Sequence, residues 1–433
     1  MRIIYVAAGA AGMYCGSCLH DNTLATALIE QGHDVQLVPT YTPIRTDEAN
    51  VSLRKIFFGG INVFLQQKLP LFRHTPWALD SLLDSPKLIQ LATGRGGPSI
   101  EPEKLGDLTV SMLAGKNGHQ RKELDKLVHW LKRQKPDVVH LSNSMLAGMA
   151  GPIRELGVAV ICTLSGEDLF LEKLPAPHYE EARRLLRQQV QPIHAFVSMN
   201  GYYANFMADY LSVSRDRIHV IPHGLNLDGH GTRAATNKGA CTIGYLARIA
   251  PEKGLHLLVE AFERLMNDPE VPPIKLRVAG YLGELDRPYF ETIRRRVQSW
   301  REPDRFEYLG EVNRSDKIAF LQSLDLFSLP TVYRESKGLP VLEALANAVP
   351  VVLPAHGAFP ELVADTGGGV LHEPGNSAAL AAEFKRLLLD RQRAVALGQA
   401  GQSVVRQRYH MAAMAARTAE LYAGIVVPAA SHP

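Results

Sequence analysis

Short runs of β-branched apolar residues alternate with longer amphipathic stretches along most of this chain, and that alternation limits its fold more than any other feature. Strands separated by helix-length crossovers imply parallel sheets, so the expected class is α/β. In the first half the candidate strands are residues 2–7, 34–39, 137–142, 158–163, 194–198 and 217–222. A helix is expected over 119–134, where Leu124, Leu127, Val128 and Leu131 recur at helical spacing against a charged face. The stretch 226–240 then turns polar and loses its period, as an interdomain linker does. A second series of candidate strands follows at 241–246, 274–280, 306–310, 326–330, 350–354 and 368–372. Residues 376–425 read as helical, and the last helix has no strand to serve. The domains expected are 1–225, a linker 226–240, a second domain 241–410, and a C-terminal helix and tail 411–433.

Bulk properties exclude several classes. The 433 residues are 46% apolar and 21% charged, as in ordinary globular chains. Lys plus Arg number 47 against 44 Asp plus Glu, so no strong global field favours nucleic acid or an anionic membrane. The stretch 51–100 is locally basic, with Arg54, Lys55, Lys68, Arg73, Lys87 and Arg95 against Asp80 and Asp84, and reads as a solvated face. The opening "MRIIYVAAG" is too short for a signal or a span, which makes a cytoplasmic protein the expectation. Four cysteines, Cys15, Cys18, Cys162 and Cys241, are too scattered for a disulfide framework. Between 42 and 118 the period is poor, and an irregular insertion that shapes a ligand site is expected.

Two stretches carry chemistry. In open parallel sheets ligands bind beyond the carboxyl ends of strands, where loops enter helix N-termini. Glu335 follows the candidate strand 326–330, and Pro340 suits a first helical turn, so a helix is expected to start near Gly338 to Pro340. The amides of Ser336, Lys337, Gly338 and Leu339 then form an anion site, with Glu343 in the first turn favoured by the helix dipole. Arg248 and Lys253 flank a turn between strand 241–246 and the next helix. A guanidinium beside an ammonium matches a diphosphate through charge-assisted hydrogen bonds.

Together these stretches resemble the retaining glycosyltransferases of the GT-B fold, family 4 or "glycosyl transferases group 1" type. "GYLARIAPEKG" is similar to the family's Gly-Arg-Leu-x-x-x-Lys-Gly turn, "ESKGLPVLEALANAVPVV" to its Glu-x7-Glu segment, "GAFPELV" (357–363) to its Gly-Gly-x-Pro-Glu loop, and "VIPHGLNLD" (220–228) to its linker entry. The resemblance implies two Rossmann-like domains facing each other across a cleft, with the C-terminal helix crossing back to the first. It implies that Arg248 and Lys253 bind the donor diphosphate and stabilise the leaving group. Glu335 would hold sugar hydroxyls, the amides at Gly338 phosphate or sugar oxygens, Glu343 the ribose, and the backbone at Val312 the base. Gly16 falls on the second glycine of the family's phosphate-approaching pair, while Cys15 replaces the first. The family's His-Gly-x-Asp becomes Ser165-Gly166-Glu167-Asp168: the histidine is missing, and Asp168 is a candidate for contact with acceptor or sugar.

The implied partners are a nucleotide-sugar donor, UDP-linked by default with GDP-mannose next and ADP-glucose after it, and a glycan, lipid or small-molecule acceptor. Peripheral association with the inner face of the membrane is compatible with this. The implied chemistry is transfer with retention, a donor phosphate oxygen taking the acceptor proton, and no enzyme nucleophile. No Asp-x-Asp occurs, so neither a metal nor any other cofactor is expected. Two rivals differ in class. Cys15-x-x-Cys18 at a strand-to-helix junction suits thiol redox chemistry, but leaves Arg248, Lys253 and Glu335 unexplained. Zinc would need further ligands, and His20 and His33 are badly spaced. A GT-B-fold epimerase or sugar-nucleotide binder is the other rival.

Overall fold

The structure, a computed structural model, describes residues 1–9, 16–73, 75, 105–231 and 239–426. Cys15, part of the 226–240 linker and most of the loop around residues 93–105 lie outside these. The chain forms two compact units, Met1–Gly224 with the helix that begins at Met411, and Leu225–His410.

The first unit is built on six strands: β1 (Arg2–Ala7), β2 (Asp34–Pro39), β3 (Val138–Leu141), β4 (Ala159–Leu164), β5 (Ala195–Ser198) and β6 (Ile218–Val220). They pair in the order β2-β1-β3-β4-β5-β6, and every pairing is parallel. β3, β4 and β5 are buried along their whole length, the continuous apolar runs that a sheet covered on both faces requires. Alternation divides β1 between two cores. Ile4 and Val6 join a cluster with Leu124, Leu127 and Leu131 on one face, whereas Ile3, Tyr5 and Ala7 face Leu24, Leu28 and Tyr422 on the other.

Tyr422 shows why the last helix, Met411–Val426, needs no strand of its own. Its ring is fully buried against the first unit's sheet, and its hydroxyl bonds His140 Nδ1 on β3. His140 Nε2 meets Thr163 Oγ1 on β4 at 2.7 Å. Burial, reinforced by the charge of His20, lowers the His140 pKa to about 3 and keeps the ring neutral.

The insertion is less irregular than its sequence period implies. Gly60–Lys68 and Gly106–Leu113 are helices. The first of these was hidden because its buried positions include Asn62 and Gln66, which donate to Glu123 Oε1 at 3.1 and 2.8 Å instead of packing as apolar residues. A polar buried face has no hydrophobic period to read.

The second unit pairs β7 (Cys241–Leu246), β8 (Ile274–Ala279), β9 (Phe306–Tyr308), β10 (Leu326–Ser328), β11 (Val351–Pro354) and β12 (Gly369–His372) in the order β12-β11-β10-β7-β8-β9, again all parallel. β8 and β9 run outward on one side of β7, and β10, β11 and β12 on the other, so the order reverses between β7 and β10. That reversal leaves a crevice at the carboxyl ends of these two strands.

Tyr422→Ala removes a fully buried ring that spans the contact between the last helix and β3. It is expected to destabilise the protein by about 3–5 kcal/mol in urea unfolding monitored by circular dichroism. A loss below about 1 kcal/mol would show that this helix contributes little to the first unit.

Candidate functional site

The chain passes from β7 into a tight turn, Pro251–Lys253, then through Gly254 into the helix Leu255–Met266. Gly254 has φ +76°, and a Cβ there would stand 1.8 Å from the Pro330 carbonyl oxygen beyond β10. Only glycine permits so close an approach. This contact brings the turn after β7 against the loop after β10, and the result is a pair: Lys253 Nζ lies 2.9 Å from Glu335 Oε2.

Glu335 is 6% exposed and its carboxylate is fully engaged. Oε1 accepts the amides of Ser336 at 3.0 Å and Lys337 at 3.1 Å. Oε2 accepts Lys253 Nζ and the Tyr333 hydroxyl. Burial alone would raise this carboxyl's pKa, but the Lys253 charge and the bonds from Tyr333 and Lys253 outweigh it and lower the value to about 2. The loop 355–358 supports the backbone from behind: the Ala358 amide donates to the Glu335 carbonyl at 2.8 Å. Gly357, at φ +63°, approaches so closely that a Cβ would stand 2.6 Å from that same oxygen.

Two sequence expectations are corrected here. The helix is Leu339–Ala346 with Gly338 as its N-cap, so Glu343 is its fifth residue and lies beyond the first turn. At 4% exposure it gains from Lys317, whose Nζ is 2.6 Å away, rather than from the dipole. The amides of Ser336 and Lys337 do not simply face outward as an anion site, because Glu335 is the anion they hold. The amides of Gly338 and Leu339 stay outside that carboxylate's hydrogen bonds.

Arg248 follows β7 with its side chain 40% exposed, paired to Glu252 and, at 3.3 Å, to Asp286. Its charge also acts on the Tyr333 hydroxyl. Val312 is half-buried in the loop between β9 and the helix Arg314–Gln322, which carries Lys317. Thus Lys253, Glu335, Ser336 and Lys337 come together, Arg248 lies nearby with its own acids, and Glu343 has a separate cation. Sequence reasoning missed Tyr333, Lys317, Glu252 and Asp286, none of which stands at a motif position.

In the first unit, Gly16 is the first residue of the helix Gly16–Glu30, in which Cys18 is buried at 1% exposure. Asp168 opens the short helix Asp168–Leu171 and accepts the Tyr203 hydroxyl at 2.6 Å. Its pKa is raised, chiefly by burial. Glu167 fixes the adjoining loop: its carboxylate accepts the Ser165 amide at 2.6 Å and the Ser144 amide and hydroxyl at 2.9 and 2.7 Å.

The depressed Glu335 pKa has a consequence for stability. A carboxyl held below its ordinary value favours the folded state above that value, 4.5, and the contribution disappears as pH falls from there toward about 2. Glu335→Gln is therefore expected to cost on the order of 3 kcal/mol at pH 7. Wild type and variant should converge as denaturant unfolding is repeated from pH 5 down to pH 3. A gap that stays constant over this range would contradict the assignment.

Residues 233–404 match the family profile "Glycosyl transferases group 1", and residues 89–228 match "Glycosyltransferase Family 4". Among curated relatives, the Mycobacterium tuberculosis GDP-mannose-dependent alpha-(1-6)-phosphatidylinositol monomannoside mannosyltransferase is 30% identical over 191 residues, 42% of this chain and 47% of that protein. The match thus spans about half of that relative's length. The Corynebacterium aurimucosum D-inositol 3-phosphate glycosyltransferase is 27% identical over 66% of this chain and 71% of its own. Among solved structures, the Thermosynechococcus elongatus sucrose-phosphate synthase superposes with a TM-score of 0.72 at 16% identity, over 98% of this chain and 99% of that one. Anabaena HepE in complex with UDP gives 0.67 at 16% identity, over 98% and 100%. Two glycosyltransferase profiles, group 1 and family 4, are thus matched in succession, one on each Rossmann-like unit, and the fold is that of the GT-B glycosyltransferases.

Proposed function

We propose that the protein transfers a sugar from a nucleoside-diphosphate sugar to an acceptor hydroxyl with retention at the anomeric carbon. The observation that carries this reading is Lys253 beside Glu335 at the β7/β10 reversal, with Arg248 in the same connection between β7 and the next helix. Two cations and a helix N-terminus there suit a diphosphate with its two or so negative charges.

In the reaction the bond between the anomeric carbon and the β-phosphate oxygen breaks, and the acceptor oxygen bonds to the same face of that carbon. The acceptor proton passes to a phosphate oxygen of the departing nucleoside diphosphate, so no side chain acts as nucleophile. Arg248, Lys253 and the amides of Gly338 and Leu339 stabilise the charge that develops on the leaving group. Glu335 fixes Lys253, Glu343 with Lys317 takes the ribose, and the Val312 backbone takes the base. Asp168, in the first unit, serves acceptor or sugar. This scheme needs no metal.

The donor base is proposed from two directions. The resemblance favours a UDP-sugar, whereas the Mycobacterium tuberculosis relative is named as GDP-mannose-dependent. Several relatives' names also contain inositol, which makes inositol, inositol phosphate and phosphatidylinositol the first acceptors to try. The proposed setting is the cytoplasm, at the membrane face where the acceptor is a lipid; no helix among the described residues is long and apolar enough to cross a membrane.

Lys253→Ala and Arg248→Ala are each expected to lower kcat/KM about 10²–10³-fold in a radiolabelled-donor transfer assay. UDP or GDP should raise the wild-type melting temperature and leave Lys253→Ala unmoved. Near-normal turnover in both variants would remove the site assignment. NMR of the first product formed is expected to show the anomeric configuration of the donor, and EDTA is expected to leave the rate unchanged. An inverted product would contradict the proposed chemistry.

A further inference from the structure

Tyr333 lies outside every motif, yet it closes a triangle with the two charged groups at the centre of the site. Its hydroxyl bonds Lys253 Nζ and also Glu335 Oε2, and the ammonium lies 4.8 Å from the centre of its ring. Elementary chemistry fixes the directions of these bonds. An ammonium has protons and no lone pair, so Lys253 must donate to the phenol oxygen, and the single phenol proton must go to Glu335. Burial, then the neighbouring Glu335 charge, raises the Tyr333 pKa well above its ordinary value, which keeps that proton in place.

This arrangement matters when the ammonium is needed elsewhere. Oε1 of Glu335 is occupied by the amides of Ser336 and Lys337, so Oε2 depends on Lys253 and Tyr333. A diphosphate that draws Lys253 away takes a charged donor from a buried carboxylate, and a buried anion left short of donors is costly. Tyr333 keeps one donor on Oε2 throughout. We propose that Tyr333 is a positioning residue that acts through Glu335: by holding Oε2 it lets the Lys253 ammonium be shared between Glu335 and the donor diphosphate. Without the phenol, Lys253 is the remaining donor to Oε2 among the described residues, and it stays bound to Glu335. The inference rests on the reading of Lys253 as a diphosphate ligand.

The test is calorimetric titration of the full chain with UDP and with GDP at pH 7. For whichever binds more tightly, Tyr333→Phe is expected to raise Kd about tenfold in the wild-type background and less than about twofold in a Glu335→Gln background, because the phenol acts through that carboxylate. Tyr333→Gln, which keeps a donor for Oε2, is expected to bind within about threefold of wild type. In donor hydrolysis, Tyr333→Phe should raise KM by the same factor as Kd, with kcat within about threefold. An unchanged Kd in Tyr333→Phe, or an equal loss in both backgrounds, would overturn the role of Tyr333. If Tyr333→Phe is poorly folded, loss of affinity in the folded Tyr333→Gln variant overturns it as well. Lys253→Ala separates the role of Tyr333 from that of Lys253: if it binds nucleotide as wild type does, Lys253 is not the diphosphate ligand.

Discussion

The Lys253–Glu335 pair is the contact that holds the second unit's candidate site together. A carboxylate taken out of water loses several kcal/mol of solvation, and one cation seldom restores it. Glu335 is stable as an anion because four donors converge on it: two amides from its own loop, a phenol and an ammonium. Glycine makes the convergence possible. Gly254 lets the turn after β7 touch the backbone beyond β10, and Gly357 lets a third loop lie against Glu335 from behind. A side chain at either position would push apart the loops that carry the charges.

The strand order explains why these loops meet where they do. β7 and β10 are neighbours in the sheet although two strands and their helices intervene in the chain, and their carboxyl ends open on the point of reversal. Residues distant in sequence, Lys253 and Glu335, therefore become adjacent without a dedicated insertion. The first unit has an open parallel sheet as well, and Gly16 and Asp168 come from segments at the ends of its strands.

Much of this was legible in the chain. The twelve strands among the described residues lie where the apolar runs predict them; the inner ones, such as β3, β4, β5, β10 and β11, are buried along their length and leave an unbroken apolar signature. The strand ends were less so: the runs at 306–310 and 326–330 yield only Phe306–Tyr308 and Leu326–Ser328, because the backbone turns into the loops that build the site. The helix Gly60–Lys68 was hidden for the opposite reason, its buried positions carrying amides. At the site, motif spacing pointed to Glu335 and Lys253 but could not show that Glu335 would take up two of the amides expected to receive a ligand. Nor could it find Tyr333 or Lys317, whose importance comes from tertiary contact. Glu343 is instructive: its place in the first turn followed from where the helix was expected to start, and its burial beside Lys317 reflects packing between two helices.

The central claim is that the ammonium of Lys253, poised on Glu335, is the seat of the donor's diphosphate. A crystal structure of the protein soaked with UDP or GDP tests it most directly. The account predicts a β-phosphate within hydrogen-bond distance of Lys253 Nζ and of the Gly338 or Leu339 amide, with Tyr333 still bonded to Glu335 Oε2. A nucleotide bound elsewhere, with Lys253 and Glu335 undisturbed, would contradict it.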